Sequence, residues 1–396
     1  MEHNVMKMVQ ENFATPCYVF DLDLLKSRME LIKNCLGDNI IPCYAMKANP
    51  FLIGPMDAYT EKYEVCSPGE YEICHRMGIA PEKIVVSGVN KTLKSMDRIM
   101  GLSGGAGTFT IESEEHYRIL AEVCKAHEVA IKVLLRLSSG NQFGMDKETL
   151  EKVLILVSEN PHMTVDGLHY YSGTQKKPKK VEKELADLEE YAVYIKDTYG
   201  ITFKELEYGP GLSVTYFMTD TPLDAKEQLL ELKAQLDHIT AYEHITIEMG
   251  RFIASCCGYY FTKVMDVKKT EGTNYAIVDG GIHQLNYYGQ IMGMKIPHME
   301  LIKADQTVEA DNETMPWNIC GSLCTINDVI LKGADLPVIE KGDTFIFKNC
   351  GAYSVTEGMA LFLSRELPQI LFYSRENGFT IVREMVETNI LNSQRS

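Results

Sequence analysis

Residues 40–47 read IIPCYAMK, a short run of apolar and β-prone residues that ends on a lysine. Seven more runs of this kind follow, at intervals long enough to hold a helix. Segments such as 180–198 and 224–240 lie between them and have the apolar spacing of helices. Eight strand–helix units in succession predict an α/β fold, a (β/α)8 barrel of the TIM type. The other seven runs are residues 62–67, 83–88, 107–113, 130–137, 165–173, 205–211 and 244–250.

The pattern changes after residue 260, where strand follows strand with little helix between them. This change indicates a separate all-β domain. The early run Cys17–Asp21, before which we predict no helix, is expected to pair with that domain. We therefore expect a barrel domain over residues 28–258 and a β domain built from residues 1–27 and 259–396. The strand-like runs of the β domain are residues 259–269, 274–279, 343–349 and 369–383.

The composition is that of an ordinary globular protein, with 45% hydrophobic and 24% charged residues. A net charge of −16 argues against nucleic acid or an anionic membrane as a partner, because the long-range field repels both. Residues 1–7 lack the basic and apolar regions of a secretory leader. No apolar run reaches the ~20 residues of a membrane helix. We expect a cytoplasmic protein.

Eleven cysteines in such a chain are expected to be buried thiols, since an odd number cannot form a complete disulfide framework. Cys320 and Cys324 have the spacing of half a zinc site. No second Cys or His pair follows at the spacing of metal ligands. We therefore expect no metal.

Chemically distinctive residues fall at the carboxyl ends of the predicted strands, where barrels of this kind build their sites. A lysine that closes an apolar run is more often a surface residue, and a single glycine is more often only part of a turn. Only their combination therefore indicates a functional site. These residues are Lys47, Cys66, Arg136, Tyr171, Thr174, Gly209, Gly211, Glu248, Gly250 and Arg251.

The combination is what pyridoxal 5'-phosphate (PLP) requires. Lys47 supplies an amine for a Schiff base, and Glu248 supplies a carboxylate that keeps a pyridine nitrogen protonated. Thr174 and Arg251 add donors for a phosphate. An electron-poor ring favours decarboxylation, whereas an arginine in place of Glu248 would suit racemisation. The glycines after the seventh and eighth strands allow backbone N–H groups to approach the phosphate, and they are Gly209, Gly211 and Gly250.

Five segments, in the same order, resemble the motifs of the fold type III PLP-dependent decarboxylases, the family of ornithine, arginine and diaminopimelate decarboxylases. The likeness runs nearly end to end, and five ordered motifs are far more specific than one. It implies the alanine-racemase-like fold, a barrel followed by a C-terminal β domain. The segments are Tyr44–Pro50 (YAMKANP), Gly209–Gly211 (GPG), Glu248–Arg251 (EMGR), Gly321–Asp328 (GSLCTIND) and Gly351–Tyr353 (GAY).

The resemblance implies a head-to-tail homodimer with shared active sites, in which Cys324 and Asp328 come from the second subunit. Cys324 would protonate the substrate carbon after CO2 leaves, and Asp328 would face the distal part of the substrate. Arg136 and Tyr353 are assigned to the cofactor, with Tyr353 on the phosphate. Tyr171 stands where the family has a histidine stacked on the ring, and a phenol can also stack.

Other departures concern phosphate and substrate. Pro210 replaces the middle glycine of the triplet and removes one N–H donor. Thr325 and, by spacing, Tyr287 replace a glutamate and an arginine with which diaminopimelate decarboxylases hold the distal amino-acid group. Their loss argues against diaminopimelate. The variants resemble a secondary-metabolism branch that includes the decarboxylase of carrier-protein-bound glutamate in butirosin assembly and siderophore-pathway decarboxylases.

We therefore predict a decarboxylase of a conjugated or carrier-protein-bound amino acid, with the basic run 176–180 as a surface for an acidic carrier. A solvated helix start is the simpler interpretation of that run. One alternative is decarboxylation of free ornithine, lysine or diaminopimelate, with Asp328 pairing with a distal ammonium. A racemase or epimerase is a second alternative, against which Glu248 and Cys324 argue. A non-catalytic binding protein is a third, but it should have lost Lys47 or Cys324.

Overall fold

The structure is a computed structural model that describes residues 1–304 and 313–394. Its contacts divide the chain into two units. The barrel unit comprises residues 28–214 and 223–253, and the β unit comprises residues 1–27, 215–222 and the described residues from 254 onward. Segment 215–222, which we expected within the barrel, groups with the β unit. Within the described ranges, no helix combines the length and the apolar character needed to cross a membrane.

The chain begins with helix α1 (His3–Asn12) and strand β1 (Cys17–Asp21), both in the β unit. The next eight strands are all parallel, pair in chain order and close through the pairing of β9 with β2. Each overlaps one of the eight predicted runs, so the predicted (β/α)8 barrel is confirmed. The barrel strands are β2 (Ile40–Ala45), β3 (Lys62–Val65), β4 (Ile84–Val86), β5 (Thr108–Ile111), β6 (Ile131–Arg136), β7 (Met163–Tyr171), β8 (Glu205–Gly209) and β9 (His244–Met249).

Helices connect the barrel strands, and polar side chains fix where five of them begin. Each of these five side chains accepts a hydrogen bond from a backbone N–H in the first helical turn. The capping residues are Ser67, Thr92, Ser113, Asp146 and Asp224. The helices are α2 (Leu22–Leu36), α3 (Ile53–Met56), α4 (Pro68–Arg76), α5 (Leu93–Ser103), α6 (Glu114–His127), α7 (Lys147–Ser158), α8 (Pro178–Tyr199), α9 (Ala225–Leu236) and α10 (Arg251–Ala254).

The β unit is built on one nine-stranded sheet with the order β14-β13-β11-β10-β1-β16-β17, in which β15 also pairs with β10 and β12 pairs with β15. Strand β1 pairs antiparallel with β10 and parallel with β16, which confirms that the early run joins the β domain. The remaining elements are β10 (Gly258–Thr270), β11 (Thr273–Val278), β12 (Met299–Ile302), β13 (Met315–Cys320), β14 (Val329–Leu336), β15 (Thr344–Lys348), α11 (Ser354–Glu357), β16 (Gln369–Ser374) and β17 (Gly378–Arg383).

Helix α1 precedes β1, although the sequence had indicated no helix there. Its buried residues Met6 and Val9 pack into the core of the sheet. This packing stabilises an otherwise short helix, since ten residues alone are marginal in water. The core around them contains Cys17, Val19, Tyr259, Phe261, Ile302, Ile346 and Leu371.

Candidate active site

Lys47 lies in the turn that directly follows β2, at the carboxyl end of the barrel. Its Nζ donates to Oε2 of Glu64 at 2.6 Å and to Oε1 of Glu248 at 3.0 Å. The lysine side chain is 33% exposed, whereas both carboxylates are buried. The amine is therefore held between two acidic groups and can still be reached from outside the barrel.

Glu248, in β9, is hydrogen-bonded through both carboxylate oxygens. Its second oxygen, Oε2, lies 3.2 Å from Nε2 of His169 in β7. Burial alone would raise the pKa of Glu248, but the Lys47 ammonium and the His169 hydrogen bond outweigh burial and hold this pKa well below its usual range. Glu248 is therefore negatively charged at neutral pH.

Glu207, in β8, is a buried acid that we did not predict as part of the site. Neither of its carboxylate oxygens, nor Nδ1 of His169, has a hydrogen-bond partner among the described residues. One ligand-type atom from each of Glu207, His169 and Glu248 lies within 4.8 Å of the other two. Burial, reinforced by Glu205 and Glu248, raises the pKa of Glu207 well above its usual value, which favours the protonated carboxyl.

A signal for Glu207 was present in the sequence. Glu205 and Glu207 are two residues apart in a strand, so their side chains lie on the same face. Glu205 has partners, since it accepts hydrogen bonds from Lys62 and, at 2.6 Å, from Oγ1 of Thr246. Acidic residues at alternate positions of an otherwise apolar strand therefore marked the barrel interior.

The predicted phosphate glycines occupy positions where the backbone has no room for a side chain. A Cβ atom on Gly209 would lie 2.4 Å from Cδ2 of Tyr171, and one on Gly211 would lie 2.3 Å from the carbonyl oxygen of Gly173. Gly211 also has a φ of +61°, which favours glycine. A Cβ on Gly250 would lie 2.8 Å from Cβ of Ala48, in the turn that contains Lys47. Because these glycines have no side chain, the backbone at residues 209, 211 and 250 can lie close to neighbouring residues.

Arg136, at the end of β6, is buried and paired. Its Nη1 donates to Oε2 of Glu112 at 3.1 Å, and its guanidinium lies 4.9 Å from the centre of the Phe143 ring. Lys91 is a second buried cation, which the sequence analysis did not identify. It donates to the carbonyl oxygens of Ser87 and Gly88, at 3.0 and 2.8 Å, and burial lowers its pKa to about 8. The assignment of Arg136 to the cofactor stays a prediction.

Cys324 lies in the β unit, on the exposed part of the loop between β13 and β14. Ile326, two residues later, is 89% exposed. Asp328 lies at the end of the same loop but is buried. Its Oδ1 accepts the N–H of Ile282 at 2.9 Å, and its Oδ2 accepts the N–H of Leu323 at 2.8 Å. Each oxygen accepts one backbone N–H and can accept a second donor, so the substrate role of Asp328 stays a prediction.

Tyr287 differs from our expectation of a substrate contact. It is buried, its hydroxyl donates to the carbonyl oxygen of Lys348 at 2.6 Å, and its ring packs against Tyr216 and Phe217. Its position in the sequence matched that of an arginine in relatives, but its side chain belongs to the core of the β unit. Thr325 is partly exposed beside Cys324, and its substrate role stays a prediction.

Tyr353 immediately precedes α11 and has an unusual backbone, with φ +68° and ψ −39°. A non-glycine residue in this region is strained, and such strain is found preferentially at functional sites. Its carbonyl oxygen accepts the N–H groups of Thr356 and Glu357, which fixes the turn. Its expected contact with the cofactor phosphate stays a prediction.

The family assignment rests on a match of residues 22–255, more than half of the chain, to the pyridoxal binding domain of the pyridoxal-dependent decarboxylases. The chain belongs to this family. It is 25% identical to the L-glutamyl-[BtrI acyl-carrier protein] decarboxylase of Niallia circulans, over 94% of this chain and 92% of the relative. It is also 25% identical to the 2-[(L-alanin-3-ylcarbamoyl)methyl]-2-hydroxybutanedioate decarboxylase of Staphylococcus aureus, over 90% and 94% of the two chains.

Diaminopimelate decarboxylases are also among the similar proteins. That of Aquifex aeolicus is 25% identical over 88% of this chain and 84% of its own. The crystal structure of the Methanocaldococcus jannaschii enzyme superposes with a TM-score of 0.85, at 22% identity, covering 99% of this chain and 94% of the other. This likeness agrees with the alanine-racemase-like fold. The match confirms the predicted family, the PLP cofactor and the decarboxylase class.

The described residues fit PLP on structural grounds. The Lys47 amine can be reached at the end of the barrel, and Glu248 is ionised and hydrogen-bonded on both oxygens. Gly209 and Gly211 form turns without side chains, as a phosphate site requires. A reactive amine, a charged partner for a ring nitrogen and a phosphate cradle are the three elements that this pyridoxal-dependent decarboxylase needs for its cofactor.

Proposed function

We propose that the chain removes the α-carboxylate of a conjugated amino acid, for which a glutamyl group on a carrier protein is the model. The observation that carries this proposal is the absence of charge at Thr325, which lies beside the exposed Cys324. A substrate with a free distal amino-acid group would leave a charge unpaired at this position. The named substrates of the Niallia and Staphylococcus relatives are both conjugates.

PLP supplies the chemistry common to the family, an electron sink for the pair left when CO2 departs. Lys47 is assigned to the covalent attachment of the cofactor. Glu248, ionised and hydrogen-bonded to His169, would hold a proton on the ring nitrogen of the bound cofactor. Tyr171, whose phenol ring lies against Gly209, is assigned to the face of the cofactor ring. Thr174 and the glycine turns, with Gly250 and Arg251, are assigned to the phosphate.

Cys324 is assigned to the return of a proton to the substrate carbon, from a second copy of the chain. Support comes from its exposure and from the many large apolar side chains that the β unit exposes. A homodimer would cover such residues, because symmetric dimers bury the same surface of both copies. The exposed residues are Tyr288, Ile291, Met292, Met294, Ile326, Met359, Leu361, Phe362 and Leu363.

Mixing two inactive variants tests the shared site. Lys47→Ala and Cys324→Ala are each expected to be inactive or strongly impaired, and the Cys324 variant should still bind PLP. If each site combines Lys47 of one copy with Cys324 of the other, mixed dimers regain one intact site, and random exchange restores about a quarter of wild-type activity. No recovery, with subunit exchange shown by mass spectrometry, would contradict the shared site.

A mass-spectrometric screen for loss of CO2 tests the substrate. Wild-type protein with PLP is offered glutamyl-carrier protein, a small-molecule glutamyl thioester, and free ornithine, lysine and diaminopimelate. Turnover of the conjugates above the free amino acids is expected, with Lys47→Ala as the control. Preference for a free diamino acid would overturn the conjugate proposal while leaving the decarboxylase class intact.

The exposed lysines Lys177 and Lys179, at the start of α8, offer positive charge to an acidic carrier. Reversing both charges, Lys177→Glu with Lys179→Glu, is expected to raise KM for the carrier-bound substrate only. The small-molecule thioester serves as the control. Equal KM values for the carrier before and after the change would remove these lysines from the proposal.

A further inference from the structure

Lys176 is buried, although it opens the run of lysines that we read as a basic surface. Its Nζ donates to Oε2 of Glu184 at 2.7 Å and to the carbonyl oxygen of Gly209 at 2.8 Å. The ammonium also lies 3.2 Å from Oγ of Ser172 and from the hydroxyl of Tyr208. A lysine is rarely buried unless it is paired, and here four groups surround its charge.

The same residue joins two loops that carry predicted phosphate contacts. Loop 172–176 follows β7 and contains Thr174, and loop 209–214 follows β8 and contains the glycine turns. The backbone N–H of Lys176 donates to the carbonyl oxygen of Gly211 at 2.9 Å. The neighbouring side chain, Gln175, accepts from the N–H of Val214 at 2.6 Å and donates to its carbonyl oxygen at 3.0 Å. The two loops are thus bonded through backbone and side chain.

Glu184, in α8, anchors the Lys176 ammonium from the opposite side. It also accepts hydrogen bonds from Ser172 and, at 2.7 Å, from the hydroxyl of Tyr208. Burial opposes the ionisation of both partners, and it lowers the pKa of Lys176. In Glu184 the hydrogen bonds from Lys176 and Ser172 outweigh burial and lower its pKa, which keeps the carboxyl charged.

We propose that the Lys176–Glu184 pair is a positioning device for the phosphate of the cofactor. Lys176 acts through two glycines. Its ammonium holds the carbonyl oxygen of Gly209, and its backbone N–H holds that of Gly211. Pro210, between them, has no N–H, so the turn has fewer donors to offer and those that remain depend more on their orientation. The inference rests on the proposed assignment of the two loops to the phosphate.

Binding of PLP and of pyridoxal, which lacks the phosphate, tests the proposal. Lys176→Met keeps the length of the side chain but removes its charge. It is expected to raise the Kd for PLP about tenfold, the usual effect of losing a charged hydrogen bond, and to leave the Kd for pyridoxal nearly unchanged. Lys180→Met is the matched control, because Lys180 is exposed and lies 3.7 Å from the same carboxylate. It should leave both values unchanged.

Two further variants keep the outcomes separable. Thr174→Val tests the loop assignment directly, and an unchanged preference for PLP over pyridoxal in that variant would place the failure in the proposed function. If Thr174→Val lowers the preference and Lys176→Met does not, the positioning role is wrong. If Lys176→Met raised the Kd for PLP and for pyridoxal equally, the Lys176–Glu184 pair would have only a structural role. Should Lys176→Met fail to fold, Glu184→Gln, which retains the ammonium, is expected to lower the preference in the same direction.

Discussion

The Lys47 ammonium donates to the Glu64 carboxylate at 2.6 Å, at the end of the barrel where the cofactor amine is expected. Glu64 uses its other oxygen to accept a hydrogen bond from Cys66 at 2.8 Å. Burial, reinforced by Glu64, raises the pKa of the Cys66 thiol far above its usual value, so Cys66 stays neutral. Glu64 therefore accepts hydrogen bonds from both the Lys47 ammonium and the Cys66 thiol.

Glu64→Gln is expected to speed the capture of PLP by the cofactor-free protein at neutral pH. An amine must lose its proton before it attacks an aldehyde, and a nearby carboxylate retains that proton. An increase of about tenfold is expected, measured by stopped-flow absorbance as the coloured complex forms. Glu61→Gln, an exposed change nearby, serves as the control. Slower capture by Glu64→Gln would show that Glu64 assists the reaction instead.

Glu248→Gln is expected to leave PLP bound and to reduce kcat on the order of 100-fold, the usual cost of removing one preorganised electrostatic partner. The amide keeps the size of the side chain but cannot hold a proton on a ring nitrogen by charge. The measurement is kcat together with the visible spectrum of the bound cofactor. Retention of wild-type kcat would remove Glu248 from the chemistry.

The barrel was predictable because each strand is a short apolar run, and six of the eight end on residues of distinct chemistry. Lys47 and Glu248 could be selected on that basis, and the structure brings them within 3.0 Å of each other. Strands β12, β13 and β14 were missed. Pro316 and Asn318 interrupt the β-prone pattern of β13, and the register between β13 and β14 shifts twice.

Residues whose role depends on closure of the barrel could not be placed from sequence alone. Lys91 is a charged residue type, and only the folded chain shows that it is buried. Lys176 is a similar case. A run of lysines predicts a solvated surface, and only the fold shows that this lysine is buried between two loops. Tyr287 shows the opposite case, where a matching position in sequence did not imply a matching role.

Glu207→Gln is expected to stabilise the protein relative to wild type increasingly as pH rises. The folded-state pKa of Glu207 lies well above its unfolded value of about 4.3, so the folded state favours the protonated acid. This contribution is present below pH 4 and is lost progressively as pH rises toward the folded-state pKa. Glutamine does not titrate and avoids the loss.

Thermal unfolding of the cofactor-free Glu207→Gln variant and of the wild type, compared at intervals from pH 5 to pH 9, measures this effect. The difference in Tm, variant minus wild type, should grow with pH. Glu159→Gln, an exposed residue after α7, should give a difference that stays flat. A difference for Glu207→Gln that shrinks with pH would mean that Glu207 is ionised and paired in the folded protein.

Asp328→Asn is expected to lower the free energy of unfolding by about 1–3 kcal/mol. Asparagine has only one side-chain oxygen, so one of the two backbone N–H groups loses its acceptor. The loop cannot readily rearrange, since a Cβ atom on Gly281 or Gly321 would already lie within 2.6 Å of the Asp328 carboxylate. The N–H of Leu323 is one of the two donors, so the change also loosens the residue directly before Cys324. Urea unfolding measures the stability, and Asp335→Asn, an exposed change on β14, is the matched control. If Asp328 instead paired with the substrate, KM would rise while the urea midpoint matched that of the control.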